Sequence, residues 1–141
     1  MYFTTHLLTG AAVGGAVAAA GGAGWLAFLA GMTSHAVLDM VPHHDYYRAR
    51  HALYDIALGL VLAATALNLH PGPGRLWGGL GGVLPDLEVA VGYLLVQRGY
   101  PARRGRFPSH TGLLPHPHWP LPQGLLIQTA LASLGLWLLV R

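Results

Sequence analysis

A histidine and an aspartate four positions apart occur twice in a short stretch, as His35-Ala36-Val37-Leu38-Asp39 and His51-Ala52-Leu53-Tyr54-Asp55, on either side of Pro42-His43-His44-Asp45. On a helix, residues i and i+4 share a face, so each copy offers an imidazole nitrogen and a carboxylate oxygen to one point. That is half of a divalent-metal site. His6 precedes the pairs, and Asp86, next to Pro85, follows them. Both are candidate ligands, with Asp86 either bound directly or orienting a ligand histidine. Of the turn residues, one of His43 and His44 is expected to join the site, with His44 only marginally ahead of His43, and Asp45 or Asp55 is the candidate general base. The simpler alternative for each pair is a histidine satisfied by its own aspartate.

The surroundings make these groups costly. The chain of 141 residues is 53% hydrophobic and only 9% charged, against roughly 25% charged in an ordinary soluble domain. Its mean hydropathy is +0.46. These values point to a single membrane-embedded domain, in which an ionisable side chain near a helix centre costs about 2.5 to 3.5 kcal/mol on insertion scales. All eight basic residues are Arg, and there is no Cys. Disulfides, thiolate zinc sites and a cysteine nucleophile are therefore excluded, and any metal must rest on His and carboxylates. The pI of about 9.7 arises from few charges set beside apolar segments, so membrane lipids are the expected partners and nucleic acid is not. No basic segment precedes the first apolar run, so no cleaved signal peptide is expected.

The elements that must position the site follow from the apolar runs. About five transmembrane helices are expected, over residues 3–20, 24–41, 47–69, 76–98 and 122–140, in an all-α bundle with a polar loop at 99–119. Arg48, Arg50, Arg98, Arg103, Arg104 and Arg106 then share one side, leaving Arg75 and Arg141 on the other. The positive-inside rule predicts N-in and C-out in the inner membrane. Every histidine except His70 falls toward that same cytoplasmic end. His110, with Arg103 and Arg104, is a candidate for substrate binding from the loop; His116 and His118 fit no helical face because Pro115 and Pro117 interrupt them.

The order His6, His35-x-x-x-Asp39, a His in the Pro42-His43-His44-Asp45 turn, and His51-x-x-x-Asp55 resembles the bacterial YdjM-like membrane-bound metal-dependent hydrolases. It is also similar to the helical zinc-dependent phospholipase C and single-strand nuclease superfamily. The resemblance covers about residues 6–55 and, more loosely, Asp86. It implies His6, His35, Asp39, His44 and His51 as ligands, with Asp39 bridging two metals and Asp55 in place of the superfamily's Glu. It further implies two or three zinc ions.

Imidazole and carboxylate ligands suit Zn, with Mn or Fe as alternatives. The expected reaction is hydrolysis of a phosphoester, of a lipid or another membrane-surface substrate, by metal-activated water. Amide hydrolysis on the same metals, or a non-enzymatic metal-binding or metal-transport role, are the rival readings. No His-Glu-x-x-His motif is present.

Overall fold

The computed structural model describes residues 1–102 and 105–141. Its helices are α1 (Phe3–Ala19), α2 (Gly24–Asp39), α3 (Ala49–Leu69), α4 (Pro73–Gln97), the short α5 (Pro108–Thr111) and α6 (Leu121–Leu139). The fold is all-α. Among the described residues the only extended pairing is an isolated bridge between His43 and His118.

Local chemistry sets the ends. After α1, Gly21 adopts φ +82°, and the amides of Gly21 and Gly22 return to Ala18 O and Val17 O, closing the helix in a Schellman arrangement that a Cβ would strain. Pro42 disfavours helix just before it, and α2 stops at Asp39, two residues short of the sequence expectation. Pro73 opens α4 three residues earlier than expected, in the first-turn position that a missing N–H suits. The expected loop contains α5, a single turn opened by Pro108.

Packing is organised by glycine. α4 lies between α1 and α2, and its Gly74, Gly78 and Gly82 meet Gly10, Gly14 and Ala18 of α1. A Cβ on Gly10 would stand 2.6 Å from Gly78 O, and one on Gly81 would strike the backbone of Phe28 in α2. Small residues at this spacing allow backbones to approach without hydrophobic side chains between them. On its other side α1 packs against α3 and α6, where Leu7, Leu8, Ala11, Ala63, Ala66 and Leu139 form the apolar core.

Leu58, Val61, Leu87, Val91 and Leu126 are among many large apolar residues left on the surface. α3, α4 and α6 are long and apolar enough to cross a membrane. α1 and α2, with 17 and 16 residues, are about the shortest length that can span.

Candidate metal centre

The end of the bundle where α1 begins and α2 stops gathers most of the ionisable groups. His6 in the first turn of α1 and His35 in α2 stack face to face, ring centres 3.8 Å apart. Asp39, one turn beyond His35, faces both: His6 Nε2 is 3.2 Å from Oδ1, and His35 Nε2 is 3.2 Å from Oδ2. All three side chains are at most 1% exposed.

The protonation of His35 is fixed by its other nitrogen. Nδ1 lies 2.7 Å from the carbonyl oxygen of Gly82; a carbonyl only accepts, so Nδ1 carries the proton and donates. Gly82 presents that carbonyl at the glycine-lined contact of α4, next to position 81, whose carbonyl Pro85 cannot serve because it has no N–H. In neutral His35 the Nε2 lone pair therefore points at a carboxylate oxygen. Nε2 of His35, both nitrogens of His6 and Oδ1 of Asp39 are buried without a hydrogen-bond partner among the described residues. Buried acceptors facing acceptors are costly unless a cation sits between them. Protons alone serve poorly here, because two stacked imidazolium rings would repel.

A strap of residues 105–119 folds back over this group. Glu88 of α4 anchors it by accepting the amides of Arg106 at 2.7 Å and Phe107 at 2.9 Å, and Nδ1–H of His110 at 2.8 Å. His110 Nε2 is thereby turned toward Asp39 Oδ2, 3.5 Å away, and Asp86 Oδ1, 4.0 Å away. Asp86 Oδ1 is also 3.9 Å from His35 Nε2. Ser109 donates its hydroxyl to Asp39 Oδ2 at 2.6 Å. Burial pushes the His110 pKa down, but Asp39 and Glu88 outweigh it and raise the pKa above the ordinary histidine value.

A second group lies at the rim. His43 Nδ1 donates to Val41 O at 2.7 Å, which leaves Nε2 unprotonated. That atom is 3.0 Å from His116 Nε2 and 3.3 Å from Asp45 Oδ1. Asp45 Oδ2 is 3.5 Å from His116 Nε2 and 3.2 Å from His118 Nδ1. Burial raises the Asp45 carboxyl, yet the hydrogen bond with His116 and the Met1 ammonium hold it well below the usual carboxylate range. The Met1 amino group sits 2.9 Å from Asp45 Oδ1 and 3.5 Å from Asp39 Oδ1. His6–His35–Asp39, His35–Asp86–His110 and His43–Asp45–His116–His118 are the metal-competent groups among the described residues.

The structure thus brings together His6, His35, Asp39, Asp86 and His110 of the residues expected from sequence. It does not bring in His44, His51 or Asp55. His43 and His44 are neighbours in extended backbone, so their side chains point opposite ways; His44 turns to Trp119 O, 3.3 Å away, and the ring of Tyr47. α3 packs on α1 and α6 rather than alongside α2, and His51 at its start is exposed. Asp55 instead caps α1. It accepts the Thr4 amide at 3.0 Å and the Tyr46 hydroxyl at 2.6 Å, where first-turn N–H groups and the helix dipole favour an anion. Burial and the Asp55 hydrogen bond push the Tyr46 hydroxyl above the usual tyrosine range. Asp55 thus serves the start of α1 and stands outside the inner group. Arg103 and Arg104 lie outside the described residues.

In the sequence His43 and His44 are open alternatives, while His116 and His118 fall outside the ligand set and Ser109 is not singled out. The available signal was the i, i+2 spacing of His43 with Asp45 and of His116 with His118. In extended chain that spacing puts both side chains on one face.

No family model matches the chain, and comparison with curated proteins and with solved structures finds no match.

Proposed function

We propose that this chain is a metal-dependent hydrolase set at the cytoplasmic end of a five-span helical bundle in the inner membrane, N-in and C-out, cleaving a phosphoester of a membrane lipid. The observation that carries the reading is His35. Its proton is committed to Gly82 O, its lone pair faces Asp39, and both lie buried without a hydrogen bond between them. A carbonyl or carboxylate on the far nitrogen is the usual way a protein orients a metal-ligating histidine, and His110 on Glu88 repeats it.

His6, His35, Asp39 and His110 would hold the ion, with Asp86 at the open side. A divalent ion there, Zn by preference and Mn or Fe otherwise, supplies an activated water and charge neutralisation at a phosphoryl oxygen. In the hydrolysis, water oxygen bonds to phosphorus, the ester P–O bond breaks, and the leaving alcohol takes a proton. Asp86 has no hydrogen bond among the described residues and is 29% exposed, so it holds the water-derived proton in place of Asp55. Glu88 keeps His110 in position, and Ser109 steadies Asp39.

A lipid substrate is favoured by the cleft beside the site. Met32, Leu84, Pro85 and Phe107 line it, with Glu88 and Arg106 at its border. Phe107 meets His35 edge-on at 5.2 Å. An apolar cleft between α2, α4 and the strap, with an exposed Arg beside it, matches an acyl chain carrying an anionic headgroup. The likeness of the His/Asp order to the YdjM-like hydrolases points the same way.

The test is release of product from phospholipids in mixed micelles by detergent-purified protein. Expected are turnover that chelation abolishes and zinc or manganese restores, and at least a hundred-fold loss in His35→Ala. Full metal loading without turnover of any lipid phosphate would overturn the hydrolase reading in favour of metal binding or transport.

A further inference from the structure

The rim group differs from the inner one in kind. A tetrahedral zinc ion with bonds of about 2.0 to 2.2 Å places its ligand atoms about 3.3 to 3.6 Å apart, since a tetrahedron's edge is about 1.63 times its centre-to-corner distance. The rim contacts are His43 Nε2 to His116 Nε2 at 3.0 Å, His43 Nε2 to Asp45 Oδ1 at 3.3 Å, Asp45 Oδ2 to His116 Nε2 at 3.5 Å and to His118 Nδ1 at 3.2 Å. They lie at or just below that edge, as do the Asp39 contacts of the inner group at 3.2, 3.2 and 3.5 Å. In the inner group the Asp86 contacts, at 3.9 and 4.0 Å, are wider than that edge and leave room for a water or a substrate oxygen.

His43 supplies the independent sign of a ligand. Its side chain is wholly buried, its Nδ1 proton goes to Val41 O, and its Nε2 lone pair is aimed into the group, at His116 Nε2 3.0 Å away. His43, Asp45, His116 and His118 offer ligand atoms within 4.8 Å of one another, and four protein ligands on one ion describe a closed site, which is the structural rather than the catalytic pattern.

The ligands come from two segments. His43 and Asp45 lie on the turn after α2, His116 and His118 on the strap just before α6. The backbones of these segments already touch, with His43 N donating to Pro117 O at 3.2 Å and Trp119 N to His43 O at 2.7 Å. An ion at this point would fasten one segment to the other, and the strap it fastens is the one that carries Ser109 and His110 to Asp39.

We propose that His43, Asp45, His116 and His118 form a second, structural divalent-cation site, zinc by ligand chemistry, that clamps the strap onto the turn after α2. The assignment does not depend on the hydrolase reading, since it rests on a different ligand set and predicts occupancy, not turnover.

The experiment uses full-length protein in detergent, stripped with a chelator and titrated with Co(II). Stoichiometry is read by elemental analysis and geometry by visible absorption, which is strong for tetrahedral and weak for octahedral cobalt. Native protein should bind two equivalents, one with the tetrahedral spectrum. His118 is 62% exposed, so His118→Ala disturbs no packing; it should bind one equivalent and lose the tetrahedral bands. His118→Cys, in a chain otherwise free of Cys, should restore the second equivalent with a thiolate-to-cobalt charge-transfer band. Asp39→Ala should keep the tetrahedral signal while losing the other ion. Native protein binding a single equivalent, His118→Ala retaining two, or Asp39→Ala losing both would each overturn the separate clamp. None of those outcomes bears on whether a lipid phosphate is cleaved.

Discussion

Asp39 is the residue on which the inner site converges, because His6, His35, His110 and Ser109 all approach its two oxygens. Glu88 acts one step removed. It orients His110 and anchors the strap, so Glu88→Ala should weaken inner-site zinc affinity about 10- to 100-fold, measured by competition with a chromophoric chelator. Glu88→Gln, whose one remaining oxygen can still accept from the Phe107 amide and His110 Nδ1–H but not also from the Arg106 amide, should recover part of the loss. Affinity should also fall as pH drops through the raised His110 pKa, above the ordinary histidine value, because neutral imidazole is the ligand and protons compete with the ion for it. The first His-x-x-x-Asp was readable from sequence because helical spacing alone dictates which side chains share a face. The choice between His43 and His44 was not, since it turns on which way an extended segment is rolled, and that is set by the distant pairing with His118.

At the scale of elements, the second His-x-x-x-Asp pair shows how an identical spacing can serve another purpose. Asp55 secures the start of α1, and Tyr46 and Gln128 complete the work by accepting the amides of Phe3 and Tyr2. Asp55→Ala should therefore cost about 0.5 to 2 kcal/mol of stability, as loss of a helix cap does, while leaving metal content unchanged. Thermal unfolding and elemental analysis on the same sample separate the two. The helix pattern itself was legible, since apolar runs broken by Gly and Pro mark all five long helices. Which helices touch was not, because α4 meets α1 and α2 through glycines that carry no hydrophobic signal. Gly78→Ala should destabilise by about 1 to 3 kcal/mol through overpacking, since its Cβ would stand 2.6 Å from Gly14 Cα. A Cβ on Gly92, in the same helix, would meet nothing within 4 Å. Gly92→Ala should be neutral or stabilising by about 0.5 to 1 kcal/mol, with melting temperature in detergent as the measure of both.

For the whole molecule, the defining property is one-sidedness. Charged and imidazole groups collect at one end of the bundle, and the flanks are apolar. Arg positions in the sequence already predicted which end faces the cytoplasm. A chain without Cys makes that prediction simple to check. In right-side-out vesicles, His70→Cys should react with an impermeant maleimide, and Arg50→Cys should react only after the membrane is opened. The opposite pattern would reverse the orientation and put the site outside the cell.

Whether these residues hold a metal ion or merely satisfy one another is read from bound metal. Elemental analysis of detergent-purified native protein and Asp39→Ala, both reloaded with zinc, tests it most directly. Tightly held zinc in the native chain, and at least one equivalent fewer in Asp39→Ala, is the expected result. Native protein that retains no metal, or an Asp39→Ala variant that retains the native amount, would contradict it.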